Sequence, residues 1–190
     1  MSENQVANEE KILSLYDSDV NVVKRGKMMA EVEFGNELFL AEQMDGLIVD
    51  WKLFRDSAPA DTGKFPEFLE RVSQKEISLA SVTGDRGFDS ETNRNLLTEK
   101  GIFNGLCARN PEQLSELMKN DEYSRKQHRR AETEARIAII KNNFLGGRAA
   151  SQDYTYRERQ TAWAILTHNL WVLARLPQAG QDQKAVDRAA

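Results

Sequence analysis

Apolar and polar positions alternate from Glu31 to Glu42, and this period of two places Phe34, Leu38 and Leu40 on one face of an expected strand. Met44-Asp45-Gly46 carries turn chemistry, and Leu47 to Phe54 reads as the returning strand of a hairpin. After Ser57-Ala-Pro-Ala the period changes. Phe65, Phe68, Leu69 and Val72 recur at helical spacing, so a helix is expected through about Ser73, capped by Asp61 or Thr62. Ile77 to Thr83 is short, apolar and β-branched, the composition of a buried strand, and runs into Gly84-Asp85-Arg86-Gly87. Ser90 is a natural cap for a helix from Glu91 to Lys100, with Gly101 as its stop. Ile102 to Ala108 reads as a further strand. Beyond Asn110-Pro111 a helical pattern continues to about Phe144, broken near Asn120-Asp121 and closed by Gly146-Gly147. A last helix is expected from about Tyr156 to Leu176, with Trp163, Leu166, Leu170 and Ala174 as its main apolar stripe and Pro177 ending it.

Strand, strand, helix, strand, helix, strand, long helix and helix is the order of an α/β fold. A hairpin followed by strands separated by helices predicts a mixed sheet, with the later strands parallel. A chain of 190 residues is long enough for one domain with a sizeable core. The polar, acidic stretch 1–10 reads as a loose start, 11–176 as the folded part, and 177–190 as a disordered tail. No apolar run approaches the roughly 18–20 residues that span a bilayer, and no signal-peptide pattern opens the chain. The single cysteine, Cys107, lies in an apolar segment; it reads as a small core residue and fits a reducing cytoplasm.

The formal charge of −4 does not advertise a nucleic-acid binder, but its distribution changes the picture. Between Lys119 and Arg159 stand ten basic residues against six carboxylates, while the remainder of the chain is negative. A locally basic surface around a carboxylate suits a phosphodiester; a solvated helix face is the other reading. Within that segment Arg130, Glu134 and Lys141 are spaced by four and then seven, which on a helix advancing about 100° per residue places them on one stripe with Ile137. Glu132 points to the opposite side. Surface pairing of Arg130 with Glu134 would also account for part of this pattern. Asp85 follows an expected buried strand, where α/β folds place reactive side chains, and Gly84 and Gly87 permit close approach around it. An aspartate in Gly-Asp-Arg-Gly also makes turns with its own backbone. Two carboxylates, one from a strand end and one from a facing helix, are a suitable geometry for Mg²⁺ ions held about 3.5–4 Å apart during phosphodiester chemistry. His128 and His168 lack metal-ligand spacing; His128 suits the basic face and His168 helix packing. Trp163 and Trp171 are expected in the core. No phosphate-binding loop, dinucleotide fingerprint or serine-nucleophile elbow is present.

Seven stretches occur in order across nearly the whole chain: Lys11-Ile-Leu-Ser-Leu-Tyr16, Lys24-Arg-Gly-Lys27, Val32-Glu-Phe-Gly35, Ala58-Pro-Ala-Asp61, Thr83-Gly-Asp-Arg-Gly-Phe88, Arg130 to Lys141, and His168-Asn-Leu170 before Leu173-Ala-Arg-Leu176. Together they resemble the C-terminal part of a bacterial DDE-type insertion-sequence transposase of the ISNCY-type group. The resemblance implies a ribonuclease H-like mixed sheet flanked by helices, and transposition by metal-dependent DNA strand cleavage and strand transfer. It implies Asp85 as the second catalytic aspartate and Glu134 as the catalytic glutamate, both ligands of Mg²⁺ or Mn²⁺. Arg130 and Lys141, with Arg129 and Arg136 beside them, would meet DNA, and the implied partners are transposon ends, target DNA, and a second copy or a full-length transposase.

Two departures qualify that implication. Gln127 stands where the family commonly has tyrosine. The opening central strand, which carries the family's first catalytic aspartate, has no counterpart upstream of Lys11. Asp17, Asp19, Asp45, Asp50, Asp56 and Asp61 do not take its place, and Val20 to Val23 is the nearest substitute for the strand itself. The chain is therefore expected to be inactive alone. A non-catalytic DNA-binding or regulatory remnant, and another ribonuclease H-like nuclease such as a branched-DNA resolvase, are the alternative readings.

Overall fold

The computed structural model describes residues 21–27, 30–145 and 153–176, with backbone alone for 21–27, 30–34, 131, 132 and 134. The expectations for residues 1–10, Lys11–Tyr16, Gly146-Gly147 and the tail 177–190 lie outside that set. Strand β1 (Asn21–Lys27) pairs antiparallel with β2 (Ala30–Gly35), and β3 (Leu38–Glu42) with β4 (Ile48–Leu53). Helix α1 (Asp61–Gln74) leads to β5 (Ser81–Gly84), and α2 (Glu91–Glu99) connects β5 to its parallel neighbour β6 (Phe103–Leu106). Then come α3 (Pro111–Leu117), α4 (Asp121–Ile139) with a π-helical turn at Ile140–Phe144, and α5 (Tyr154–Leu173).

The chain is α/β, with the hairpin and the parallel crossover where the residue pattern puts them. Caps set several boundaries: Ser90 Oγ accepts from Asn93 N, Asn110 and Asn120 cap α3 and α4, and Gly101 takes φ 65° after α2. Other boundaries differ. The expected strand from Glu31 to Glu42 breaks at Gly35-Asn36, because Asn36 Nδ2 donates to the carbonyls of Phe54 (2.9 Å) and Arg55 (3.1 Å) and ties the chain to the end of β4. The strand placed at Ile77–Thr83 starts only at Ser81. Ile77 N instead turns back to Val72 O (3.2 Å), closing α1, while Ile77 and Leu79 pack on the core from a loop.

The single mixed sheet is a larger difference: among the described residues the six strands form three separate pairs. Val22 and Val23 lie in β1, which pairs with β2 and not with β3 or β5. What joins the other two pairs is α1. Its stripe of Phe65, Phe68, Leu69 and Val72 is buried as expected, in one cluster with Leu97 and Leu106, and Phe39 and Ala41 of β3 and Val82 of β5 pack against that cluster. Each such side chain contributes about 1.5–3 kcal/mol by leaving water. Polar ties add direction. Asp50 of β4, 1% exposed, accepts from Arg71 Nη2 (2.7 Å) and Lys75 Nζ (2.7 Å) at the C-terminal end of α1.

Helix α5 corrects the residue pattern. Trp163 is 68% exposed, and Leu166, Leu170 and Ala174 are exposed with it. The buried face carries Arg157, Thr161, Ala164, Ile165, His168 and Val172. Asn169 decides the helix phase: its Nδ2 donates to Ile48 O and its Oδ1 accepts from Ile48 N, each at 2.9 Å, in the manner of a strand partner. This seats Ile165 against Ile48 and Ile140 and leaves Trp163 outside. His168 is fully buried against Phe144 and Trp171, as a packing residue; Trp171 is only partly covered. Cys107 is buried.

Two stability predictions follow from these ties. Asp50→Ala removes the buried acceptor of Arg71 and Lys75, which keep solvent contact without it, and should lower stability by roughly 1–3 kcal/mol in urea unfolding. Burial lowers the His168 pKa from its ordinary 6.5, and Arg136 adds to this, against the Asn169 hydrogen bond and Glu42, which raise it. The unfolded chain then binds the proton first. Stability should be full above about pH 6.5 and decline as pH falls from there toward the folded value. Urea midpoints at pH 7.5 and 5.5 should show this decline in the wild type and much less of it in His168→Gln.

Candidate active site

Asp85 stands at the C-terminal end of β5, exposed, with its Oδ1 accepting from Gly87 N (2.8 Å). The turn reading of Gly-Asp-Arg-Gly is thus realised, and one carboxylate oxygen remains outside that bond. The loop Asp85–Asp89 is braced from beneath. Arg109 Nε donates to Arg86 O (2.8 Å) and its Nη2 to Gly87 O (3.0 Å), while buried Asp89 pairs with Arg94 (2.8 Å) and accepts from Arg109 N (2.9 Å).

Asn93 links this loop to α1. Pro66 has no N–H, so the carbonyl of Thr62, four residues earlier, loses its helical donor. Fully buried Asn93 fills that role, donating Nδ2 to Thr62 O (3.1 Å) and to Phe88 O (2.8 Å). The N-terminus of α1 is thereby drawn against the Asp85 loop. A Cβ on Gly87 would lie 2.3 Å from Asp61 Oδ2 and 2.9 Å from Asp85 Oδ1, which places those two oxygens within roughly 5 Å of one another.

Asp61 is not the cap that the residue pattern suggested. Ala60 occupies the N-cap position with no side-chain bond, as Asp61 turns instead to Lys64 Nζ (2.6 Å). Lys64 is buried on the core stripe of α1 and also donates to Glu37 Oε1. Burial works to lower the Lys64 pKa, but the hydrogen bonds and charges of Asp61 and Glu37 outweigh it and hold the ammonium above its ordinary value. The result is an open pair of carboxylates, Asp61 and Asp85, with a lysinium behind one of them. A lysine within an apolar helical stripe, and a proline four residues after Thr62, were the available sequence signals for Lys64 and Asn93.

The basic helix lies elsewhere. Tyr123 Oη donates to Leu106 O (2.7 Å), Gln127 Nε2 to Gly105 O (2.7 Å) and Lys126 Nζ to Ser81 Oγ (2.8 Å), so α4 crosses β6 and reaches the start of β5. Gln127 thus has a backbone-anchoring role of its own. Farther along, Arg129 donates to Met44 O, Thr133 Oγ1 to Glu42 Oε1 (2.9 Å) and Arg136 Nε to Glu42 Oε2 (3.0 Å). The Arg136 guanidinium covers Gly46, whose φ of 90° and lack of a Cβ make room for it. Arg129 and Arg136 therefore hold α4 on the β3–β4 turn.

Glu134 is a helical position of α4 between Thr133 and Arg136; its side chain lies outside the described set. Its neighbours dock on Glu42, at the start of the hairpin turn. Asp85 lies beside Asp61, at the other end of β3, where Glu37 meets Lys64. Helix α4 starts beside Leu106 at the end of β6, passes Ser81 at the start of β5 and continues to Glu42. Arg130 is partly covered and Lys141 exposed. Lys141 sits at the start of the π-helical turn, which is closed by Leu145 N to Ile140 O (2.8 Å). Among the described residues no group of three or more His, Cys, Asp or Glu is placed to hold a metal ion. Asp61 and Asp85 are one carboxylate short of such a group, and Asp61 is already engaged by Lys64.

No family model, curated protein or solved structure matches the chain. No helix among the described residues is long and apolar enough to cross a membrane. The chemistry rests on the residues themselves, and the brace beneath Asp85 is their most definite feature. Replacing Asn93 by Ala leaves two carbonyls without donors and should cost roughly 1–3 kcal/mol. Amide exchange at Arg86–Asp89 should quicken in the variant while that of β3 and β4 changes little.

Proposed function

We propose that this chain is the C-terminal part of a DDE-type transposase, with an incomplete ribonuclease H-like domain that does not cleave DNA by itself. The carrying observation is Asp85: an exposed carboxylate at the C-terminal end of a parallel strand, fixed by a buried polar brace that is costly unless the position matters. The sheet supports the same reading. Strands β3 and β5 pack on one cluster under α1, the layering of strands and helix that this reading expects. The seven ordered sequence stretches give the reading its family.

In this reading the centre is incomplete because the first catalytic aspartate has no counterpart among the residues that match the family. In the intact enzyme Asp85 and Glu134 would hold Mg²⁺ or Mn²⁺, which supplies charge stabilisation and an activated oxygen nucleophile. In this chain the surviving capability is contact with the DNA backbone through Arg130 and Lys141, with Arg129 and Arg136 tied to the hairpin. That favours the regulatory remnant as the second reading, a protein that occupies transposon ends without cutting them.

Incubation with DNA carrying the ends of the encoding element, in Mg²⁺ or Mn²⁺, should give binding that weakens steeply with salt and no strand cleavage. The double variant Arg130→Ala, Lys141→Ala should bind several-fold more weakly. Cleavage that Asp85→Asn abolishes would show a centre completed within the chain and overturn the incompleteness. Absence of DNA binding even at low salt would remove both readings.

A further inference from the structure

Seven large apolar side chains are exposed among the described residues, and five of them lie on α5: Tyr156, Trp163, Leu166, Leu170 and Leu173. Their exposure runs from 48% at Leu166 to 68% at Trp163. Single surface leucines are ordinary, whereas a continuous apolar stripe marks a contact. Taken with Arg159, these positions step by three and four in alternation, the spacing of a seam between paired helices. The seam extends over about 26 Å of helix. Its flanking positions are Thr155, Gln160, Ala162, Thr167, Asn169 and Ala174, all uncharged. A surface of the same kind brought against it meets no repulsion at its edges. The other face of α5 is already committed, through Asn169, Ile165 and His168, to β4, Ile140 and Phe144.

We propose that this face binds a second copy of the chain, α5 against α5 in antiparallel order. Parallel pairing sets Arg159 against Arg159 inside the seam. Antiparallel pairing lays the stem of each Arg159 along Leu170 of the other copy and opposes the two helix dipoles. The twofold axis then passes near Leu166: Trp163 of one copy packs against Leu166 of the other, and Tyr156 reaches Leu173. None of these residues belongs to the candidate active site, so the pairing stands or fails independently of the transposase reading.

Sedimentation of the full chain from 1 to 100 µM tests this. The expected result is a concentration-dependent species of twice the 21.6 kDa mass of one chain. Leu166→Glu and Leu170→Lys, the latter set against Arg159 of the other copy, should each shift it to monomer, with unchanged far-ultraviolet circular dichroism and, at a concentration where the wild type is monomeric, an unchanged urea midpoint. Mixing Leu166→Glu with Leu166→Lys chains should restore a dimer, because charges near the twofold axis then attract. A wild-type chain that stays monomeric at 100 µM leaves the face to another occupant and overturns the proposal. A dimer that survives both charged variants overturns it as well, by placing the interface elsewhere.

Discussion

Helix α1 is the constraint on which the described fold depends. Two strand pairs that share no ladder among the described residues are held together because one helix packs on both. Its aromatic and aliphatic stripe supplies most of the attraction, which is non-directional. Direction comes from charge at its two ends. At the C-terminal end Arg71 and Lys75 close on buried Asp50 of β4; at the N-terminal end Lys64 gathers Glu37 and Asp61. Loss of either tie would leave the stripe buried but free to slide.

The same helix creates the candidate site. Pro66 orphans one carbonyl, Asn93 supplies the missing donor, and the bond that repairs the helix also holds the Asp85 loop against it. A defect in one element becomes the joint between two. Asp61 and Asp85 meet at Gly87 as a consequence, a juxtaposition across 24 positions of sequence that no local pattern encodes.

The stripe at Phe65, Phe68, Leu69 and Val72, the cap at Ser90 and the stop at Gly101 were legible in the sequence because each is decided within one or two turns of chain. Asp85 at a strand end was legible for the same reason. The seating of α4 was not. A spacing along a helix says which positions share a stripe, but not which end of a sheet that helix crosses; Glu42 and Met44, far away in sequence, decide that through Thr133, Arg136 and Arg129.

Helix α5 divides the two kinds of information most clearly. Sequence alone determined that a helix with apolar residues around much of its circumference runs from about Tyr156 to Leu176, within a few residues of the observed Tyr154–Leu173, since propensity and periodicity are properties of the local chain. It also determined the α/β order, through the alternation of periods two and 3.6. Which face of α5 turns inward was left to the tertiary structure. Hydrophobicity favours the larger side chains at Trp163, Leu166 and Leu170, but burying a polar group requires its partner in place. Only the folded chain brings Asn169 to the backbone of Ile48, and those two hydrogen bonds set the helix phase that leaves the tryptophan in solvent.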